Sequence, residues 1–343
     1  MRITFACYES LSIIHGGPRV QMLRTKAELE ALGTDVRLLN PWEPLRADET
    51  GPVHLFSANL GTFHLASVFH QYRIPFVTSS IFFTRHSPLV IRATLAVNAA
   101  AKRFRTGIWT NYEFTRQICD WSRIVSPNTD AEARLIADGM GIPRSRIETV
   151  PNGVDERFRH GDPALFRKTY GMERYILSVG HIGPERKNAL NLIRALKRID
   201  HPAVIIGQVT DSAYARRCLD EAKEAKHILI IPGLANDSEM LASAYAGASV
   251  FALPSLFETP GIAALEAGLA GANIVITPHG GTKEYFLDMA EYVEPGDPEG
   301  IRRGIEKALE RGRGTALQQH IGREYLWNRV AEKTLAMYRK AFE

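Results

Sequence analysis

The sequence predicts an α/β protein built from two doubly wound parallel sheets. Short apolar runs alternate with helix-period segments along the whole chain, the rhythm of β-α-β units. Between Val150 and Pro163 turn residues cluster and the apolar periodicity lapses, which marks a linker joining two halves with a cleft between them. At 343 residues and 45% apolar content, the chain can fill two ordinary cores.

In the first half, residues 3–7, 36–39, 53–56, 76–79 and 124–126 read as strands, each a short apolar run of the kind that both faces of a parallel sheet cover. Residues 19–32 and 130–137 place apolar positions at helical spacing. Residues 87–104 open on the cap residue Ser87 and on Pro88, and read as a helix with a wide apolar side and basic ends. The second half repeats the pattern, with strands at 175–179, 203–206, 228–231, 250–253 and 274–276 and helices at 189–199, 211–225 and 239–246. Residues 324–338 read as a closing amphipathic helix.

Composition narrows the function classes. A net charge of +4 is too small to imply a nucleic-acid partner. Cys7, Cys119 and Cys218 are odd in number and scattered, which argues against a disulfide framework and for a reducing, cytoplasmic compartment. The chain enters a strand pattern at Arg2, so no secretory signal is expected. The most apolar charge-free stretch, residues 240–257, contains Ser243, Gly247, Ser249 and Pro254 and parses as helix, turn and strand, a poor membrane span. No acidic residue falls between Glu49 and Glu113, whereas Arg73, Arg85, Arg92, Lys102, Arg103 and Arg105 do, with His54, His64, His70 and His86. That one-sided field suits an anionic acceptor or peripheral contact with an anionic inner membrane face. Ordinary solvated arginines on a core-packed helix are the plainer explanation of the same residues.

Three loops carry candidate chemistry. The apolar run 249–253 stops at Pro254, and Ser255, Glu258, Pro260 and Gly261 lead into strong helix formers from Ile262. The amides of Gly261, Ile262 and Ala263 then face outward at a positive helix end, where a phosphate can dock. Glu258 before the helix and Glu266 within it are strong acceptors for paired hydroxyls. The loop after strand 175–179 contains Gly180, His181, Gly183, Arg186 and Lys187, and its adjacent cations offer a planar fork and a point charge to a diphosphate. Gly16 and Gly17 follow the first strand and precede a helix, where backbone can approach a ligand closely. They form neither a GxGxxG fingerprint nor a Walker loop. No Asp-x-Asp, His-Glu-x-x-His, Gly-x-Ser-x-Gly or Cys-x-x-Cys pattern occurs.

Glu258 and Glu266, with seven residues between them, together with Pro254, Ser255 and the turn of Gly261 and Ile262, resemble the signature of retaining glycosyltransferases of family 4. That family has the GT-B fold, two Rossmann-like domains facing a central cleft. Asn152, Gly153, Val154 and Asp155 resemble its linker-side sequence, and the resemblance is strongest over residues 150–295. It implies an acceptor-side domain at 1–157, with the closing helix at 323–343 packing back on it, and a donor-binding domain at 158–322. It implies a nucleoside-diphosphate sugar as donor substrate, a sugar, lipid-linked or small-molecule acceptor, and no cofactor or metal.

The residue roles it implies are specific. Lys187 stands at the family's phosphate-loop lysine, with Gly180 beside it. His181 departs from the arginine most often seen after that glycine, and Arg186 compensates. Gly16 and Gly17 face the donor diphosphate, and the backbone of Gly233 and Leu234 reads the base. Glu266 binds the ribose and Glu258 the sugar. Ser80 and Ile81 stand where the family carries a catalytic histidine, and His86 is the nearest substitute. Two other readings stay open: a nucleotide-sugar epimerase of the same fold, and a subunit that binds a nucleotide sugar without turning it over.

Overall fold

A computed structural model describes residues 1–13, 16–44, 50–103 and 109–343. The chain divides into two compact units, residues 1–153 with 327–343, and residues 154–326.

In the first unit, β1 (Arg2–Ala6), β2 (Asp35–Leu38), β3 (Val53–Phe56), β4 (Phe76–Ser79) and β5 (Val125–Ser126) form one sheet in the order β2-β1-β3-β4-β5. Every pairing is parallel. β3 and β4 are buried along their whole length, which is why their sequences are unbroken runs and do not alternate. Helices start where short polar side chains can cap them. Asn59 opens Leu60–Gln71 in a reciprocal box with Thr62, Ser87 opens Pro88–Ala101, and Thr129 opens Asp130–Arg134.

The closing helix Trp327–Phe342 belongs to this unit and lies along Gly17–Ala31. Its buried residues Trp327, Val330, Ala331, Met337 and Tyr338 recur at helical spacing and enter one core with Ile3, Phe5, Phe56 and Val77. The Tyr338 hydroxyl meets Nδ1 of the fully buried His54 at 2.6 Å, and Ser79 Oγ meets Nε2 at 2.9 Å. Burial pushes the His54 imidazole down to about 3, so it is neutral at ordinary pH.

In the second unit, β6 (Tyr175–Val179), β7 (Ala203–Ile206), β8 (Ile228–Ile231), β9 (Ala248–Leu253), β10 (Asn273–Ile276) and β11 (Glu291–Tyr292) run parallel in the order β11-β10-β9-β6-β7-β8. This is the doubly wound order that reverses between the first and fourth strands of the unit, here β6 and β9. β11 has no counterpart among the apolar runs, because it is two half-buried residues, Glu291 and Tyr292, at a sheet edge. The strong amphipathicity of Ala189–Leu196 and Pro298–Glu310 buries one face of each against the sheet.

The chain passes between units at 153/154 and 326/327, a few residues from the boundaries 157/158 and 322/323. Val154 pairs with Leu326 in a parallel bridge, and its amide donates to the Tyr325 carbonyl at 2.7 Å, so both segments stay with the second unit. Trp327 lies over Gly153, where a side-chain carbon would come within 2.5 Å of the indole. That close approach places both residues in the first unit.

Among the described residues no helix is long and apolar enough to cross a membrane. On Pro88–Ala101, Ile91 and Leu95 enter the core while Leu89 and Val97 are exposed. Arg92 donates to the Asp138 carbonyl at 2.6 Å, and Lys102 pairs with Glu113. The positive field of the window is therefore partly spent on local partners. Phe104 and Arg105 lie outside the described residues.

Candidate functional site

The site in the second unit begins at the carboxyl ends of β6 and β9, which are neighbours in the sheet although separated in sequence. Their crossovers leave in opposite directions, so the loops that follow them diverge and leave a crevice, the usual ligand position in an open α/β sheet. After β6 the chain turns through Gly180 and forms a single 3₁₀ turn at Glu185–Lys187. Asn188 ends that turn in the left-handed region, at φ 54°. The buried Asn188 amide group donates to the Pro254 carbonyl at 2.8 Å and to the Pro295 carbonyl at 2.7 Å.

Two further bonds tie the loops to each other. The Leu256 amide donates to the Arg186 carbonyl at 2.8 Å, and Arg186 Nη1 donates to the Phe257 carbonyl at 3.1 Å. The Arg186 guanidinium also lies over the Phe257 ring, 5.2 Å from its centre.

Glu258 is buried at 6% exposure, and its Oε1 accepts from Lys187 Nζ at 2.6 Å and from Arg186 Nη1 at 3.3 Å. Burial raises the Glu258 carboxyl, but the charges of Lys187 and Arg186 outweigh it and hold the group below the usual carboxylate range. Two cations against one carboxylate leave this corner with a surplus positive charge. The loop after β10 fixes the backbone of Glu258, through a parallel bridge to Gly280.

Gly261 sits at φ 79°, a conformation that glycine adopts freely, and is the N-cap of the helix Ile262–Leu269. No acceptor among the described residues pairs with the amides of Gly261, Ile262 or Ala263, and no side chain caps this end. An anion there would meet three donors and the positive end of the helix dipole. Glu266 follows one turn later, buried, with Oε1 accepting from Asn236 Nδ2 at 3.0 Å and Oε2 from the Tyr245 hydroxyl at 2.7 Å. Neither Glu258 nor Glu266 is a solvated surface glutamate.

The remaining residues divide by unit. Gly180 lies beside the Lys187 side chain and His181 is half-buried next to it. Gly233, at φ 107°, and Leu234 follow β8, two strands further along the same sheet edge. Gly16 and Gly17 are in the first unit, as N-cap and first residue of Gly17–Ala31, while Ile14 and His15 of that loop lie outside the described residues. No side chain among the described residues caps that helix start at Gly16.

Ser80 is buried in the first unit, with its Oγ donating to Glu132 Oε1 at 2.5 Å. The amides of Phe82 and Asn128 donate to the same carboxylate at 2.7 and 2.9 Å. A buried carboxylate network thus occupies the end of β4. His86 is exposed, with Nδ1 2.5 Å from the Tyr112 hydroxyl.

Sequence reasoning missed the positioning roles of Asn188 and Gly280. The signal for Gly280 was present in its pairing with Gly281 after an apolar run. Asn188 carries no sequence signal, because its contacts lie at Pro254 and Pro295. Among the described residues no group of three His, Cys, Asp or Glu side chains is disposed to hold a metal ion.

Two doubly wound parallel-sheet units of this kind are the architecture of the GT-B fold. Residues 166–324, most of the second unit, match the family model described as Glycosyl transferases group 1. The chain is 28% identical over 250 residues to D-inositol 3-phosphate glycosyltransferase of Geodermatophilus obscurus, a match covering 66% of this chain and 54% of that one. It is 27% identical over 221 residues to an uncharacterized glycosyltransferase of Methanocaldococcus jannaschii, covering 59% of this chain and 56% of that one. The chain spans about half the length of the curated relatives it matches.

Among solved structures, sucrose-phosphate synthase from Thermosynechococcus elongatus superposes with a TM-score of 0.76 at 17% identity, covering 100% of this chain and 99% of that one. HepE of Anabaena, in complex with UDP-glucose, superposes with a TM-score of 0.73 at 15% identity, covering 99% of this chain and 100% of that one.

Proposed function

We propose that this protein is a retaining glycosyltransferase that moves a sugar from a nucleoside-diphosphate sugar to an acceptor, without a metal ion. The observation that carries this reading is the juxtaposition of Lys187, Arg186 and Glu258 with the open amides of Gly261, Ile262 and Ala263. A departing diphosphate needs positive charge, and a unit charge about 4 Å away is worth roughly 4 kcal/mol at an effective dielectric near 20. Two side-chain cations and a helix end supply that charge in a preorganised form, the service a metal ion performs elsewhere.

In this reading Lys187 and Arg186 hold the diphosphate, and Glu258, freed from part of its ion pair, accepts from the sugar hydroxyls. Glu266, already oriented by Tyr245 and Asn236, accepts from the ribose. The backbone at Gly233 and Leu234 faces the base. Gly180 and His181 border the phosphates. Gly16 and Gly17 head a helix in the first unit, another place where backbone amides favour an anion. HepE is described in complex with UDP-glucose, which supports a uridine nucleotide as the first donor to try. The first unit would hold the acceptor, and its basic window with the exposed Leu89 and Val97 would suit an anionic acceptor or an anionic inner membrane face.

The buried network of Ser80 and Glu132, standing where a histidine would serve as a proton carrier, favours a second reading in which the chain binds a nucleotide sugar without turnover. Retention by way of the donor's own phosphate oxygen does not require that histidine, so we prefer transfer. The test is Lys187→Ala assayed with donor and candidate acceptors. Turnover should fall about a hundredfold or more. Undiminished transfer by that variant rejects the proposal. A wild-type protein that binds donor and never transfers supports the binding subunit, and an altered sugar nucleotide formed from donor alone supports the epimerase.

A further inference from the structure

The opposite edge of the second unit's sheet contains a cavity of about 510 Å³ that plays no part in the site just described. Its wall is built at the amino ends of the parallel strands. Arg174 immediately precedes β6, His201 precedes β7, Ser249 lies near the start of β9 and Asn273 begins β10. Arg167, Glu173 and Arg313 add to the polar lining. We propose that this cavity is a second anion site, one that accepts a small organic phosphate monoester.

Charge is the first reason. Three guanidinium groups face one carboxylate, Glu173, which is engaged by Arg167 Nη1 at 3.2 Å. Arg174 has no carboxylate partner among the described residues. Arg313 is anchored by donating to the carbonyls of Ala246, at 2.5 Å, and Ala248. Burial lowers the Arg313 guanidinium from its ordinary value, Tyr175 opposes that shift, and the like charge of Arg174 lowers it further. An anion between the two arginines would relieve their repulsion, and the guanidinium fork matches the oxygens of a phosphate.

Geometry is the second reason. Arg174 is held at φ 55°, a region that a residue with a side chain adopts at a cost. Its amide donates to the Gly247 carbonyl at 3.0 Å and its carbonyl accepts from His201 Nε2, so the backbone is fixed from two sides while the guanidinium remains available. Backbone strain of this kind clusters at ligand sites. Ser249 offers a hydroxyl from the sheet. The volume suits a small organic molecule and exceeds what a bare ion would need.

Phosphate of this kind arrives on a soluble ester or on a lipid head group. Titration calorimetry of the full chain with glycerol 3-phosphate and with inorganic phosphate tests the first source. Flotation with phosphatidylcholine vesicles containing phosphatidic acid tests the second. Arg174→Gly removes the guanidinium and suits the backbone angle, so it should fold. Ser249→Glu, which places a carboxylate in the cavity wall, provides a second variant. Both should weaken binding at least tenfold, while Lys187→Ala, at the other edge of the sheet, should leave it in place. Ester binding with this pattern assigns a soluble ligand, and vesicle binding alone with this pattern assigns a lipid head group. Absence of saturable binding to all three probes, or binding unaffected by Arg174→Gly and Ser249→Glu, overturns the proposal.

Discussion

Glu258 is held through its backbone by Gly280. The Glu258 amide donates to the His279 carbonyl at 3.1 Å, and its own carbonyl accepts from the Gly281 amide at 3.0 Å, so the two loops run side by side as a one-residue ladder. A side-chain carbon at Gly280 would collide with the Glu258 carbonyl, and Gly280 itself sits at φ 101°. Gly280→Ala is therefore expected to lower stability by about 2 kcal/mol and to displace the carboxylate from Lys187. Urea denaturation together with donor affinity checks this. A variant with wild-type donor affinity would show that Glu258 does not depend on the ladder.

Asn188 performs the equivalent task for the cation loop. Asn188→Ala leaves the Pro254 and Pro295 carbonyls without their donor and puts alanine, which tolerates the left-handed region less well than asparagine, at φ 54°, with an expected loss of about 3 kcal/mol. Asn188→Gly keeps the backbone conformation and loses only the bonds, so it should be the milder of the two by about 1 kcal/mol. Equal melting temperatures for the two variants would remove the backbone contribution.

The second unit should lose stability in acid through Glu258. Its folded carboxyl lies below the unfolded value of about 4.3, so its contribution is fully present above that pH and disappears as pH falls through the folded value. Glu258→Gln should flatten the stability profile below about pH 4. Denaturation curves collected between neutral pH and strong acid will show whether wild type and variant converge there.

The first unit should respond to acid earlier. His54 is depressed to about 3 in the folded state against about 6.5 unfolded, so the unfolded chain takes up a proton that the native core refuses. Stability is expected to start falling once pH drops below about 6.5 and to go on falling until the folded value is passed. His54→Gln should abolish that slope, as read by the fluorescence of the buried Trp327 on the closing helix that Tyr338 anchors. A wild-type slope in the variant would assign the effect to another group.

The strand runs were legible because both faces of these sheets are covered, and a covered strand has to be mostly apolar, with a polar residue such as His54 admitted only where it finds partners. The same pressure wrote 53–56, 175–179, 203–206 and 228–231 into the sequence at their observed bounds. The helix after Gly261 was legible because a glycine and a proline must stand where the chain turns sharply into it. Tertiary structure alone decided the rest. β11 is too short and too exposed to need an apolar sequence. The ion pair of Lys187 with Glu258, the Asn188 bridges and the Gly280 ladder join residues far apart in the chain. They exist because parallel β6, β9 and β10 end side by side, an adjacency that strand order creates and that local residue preferences do not encode.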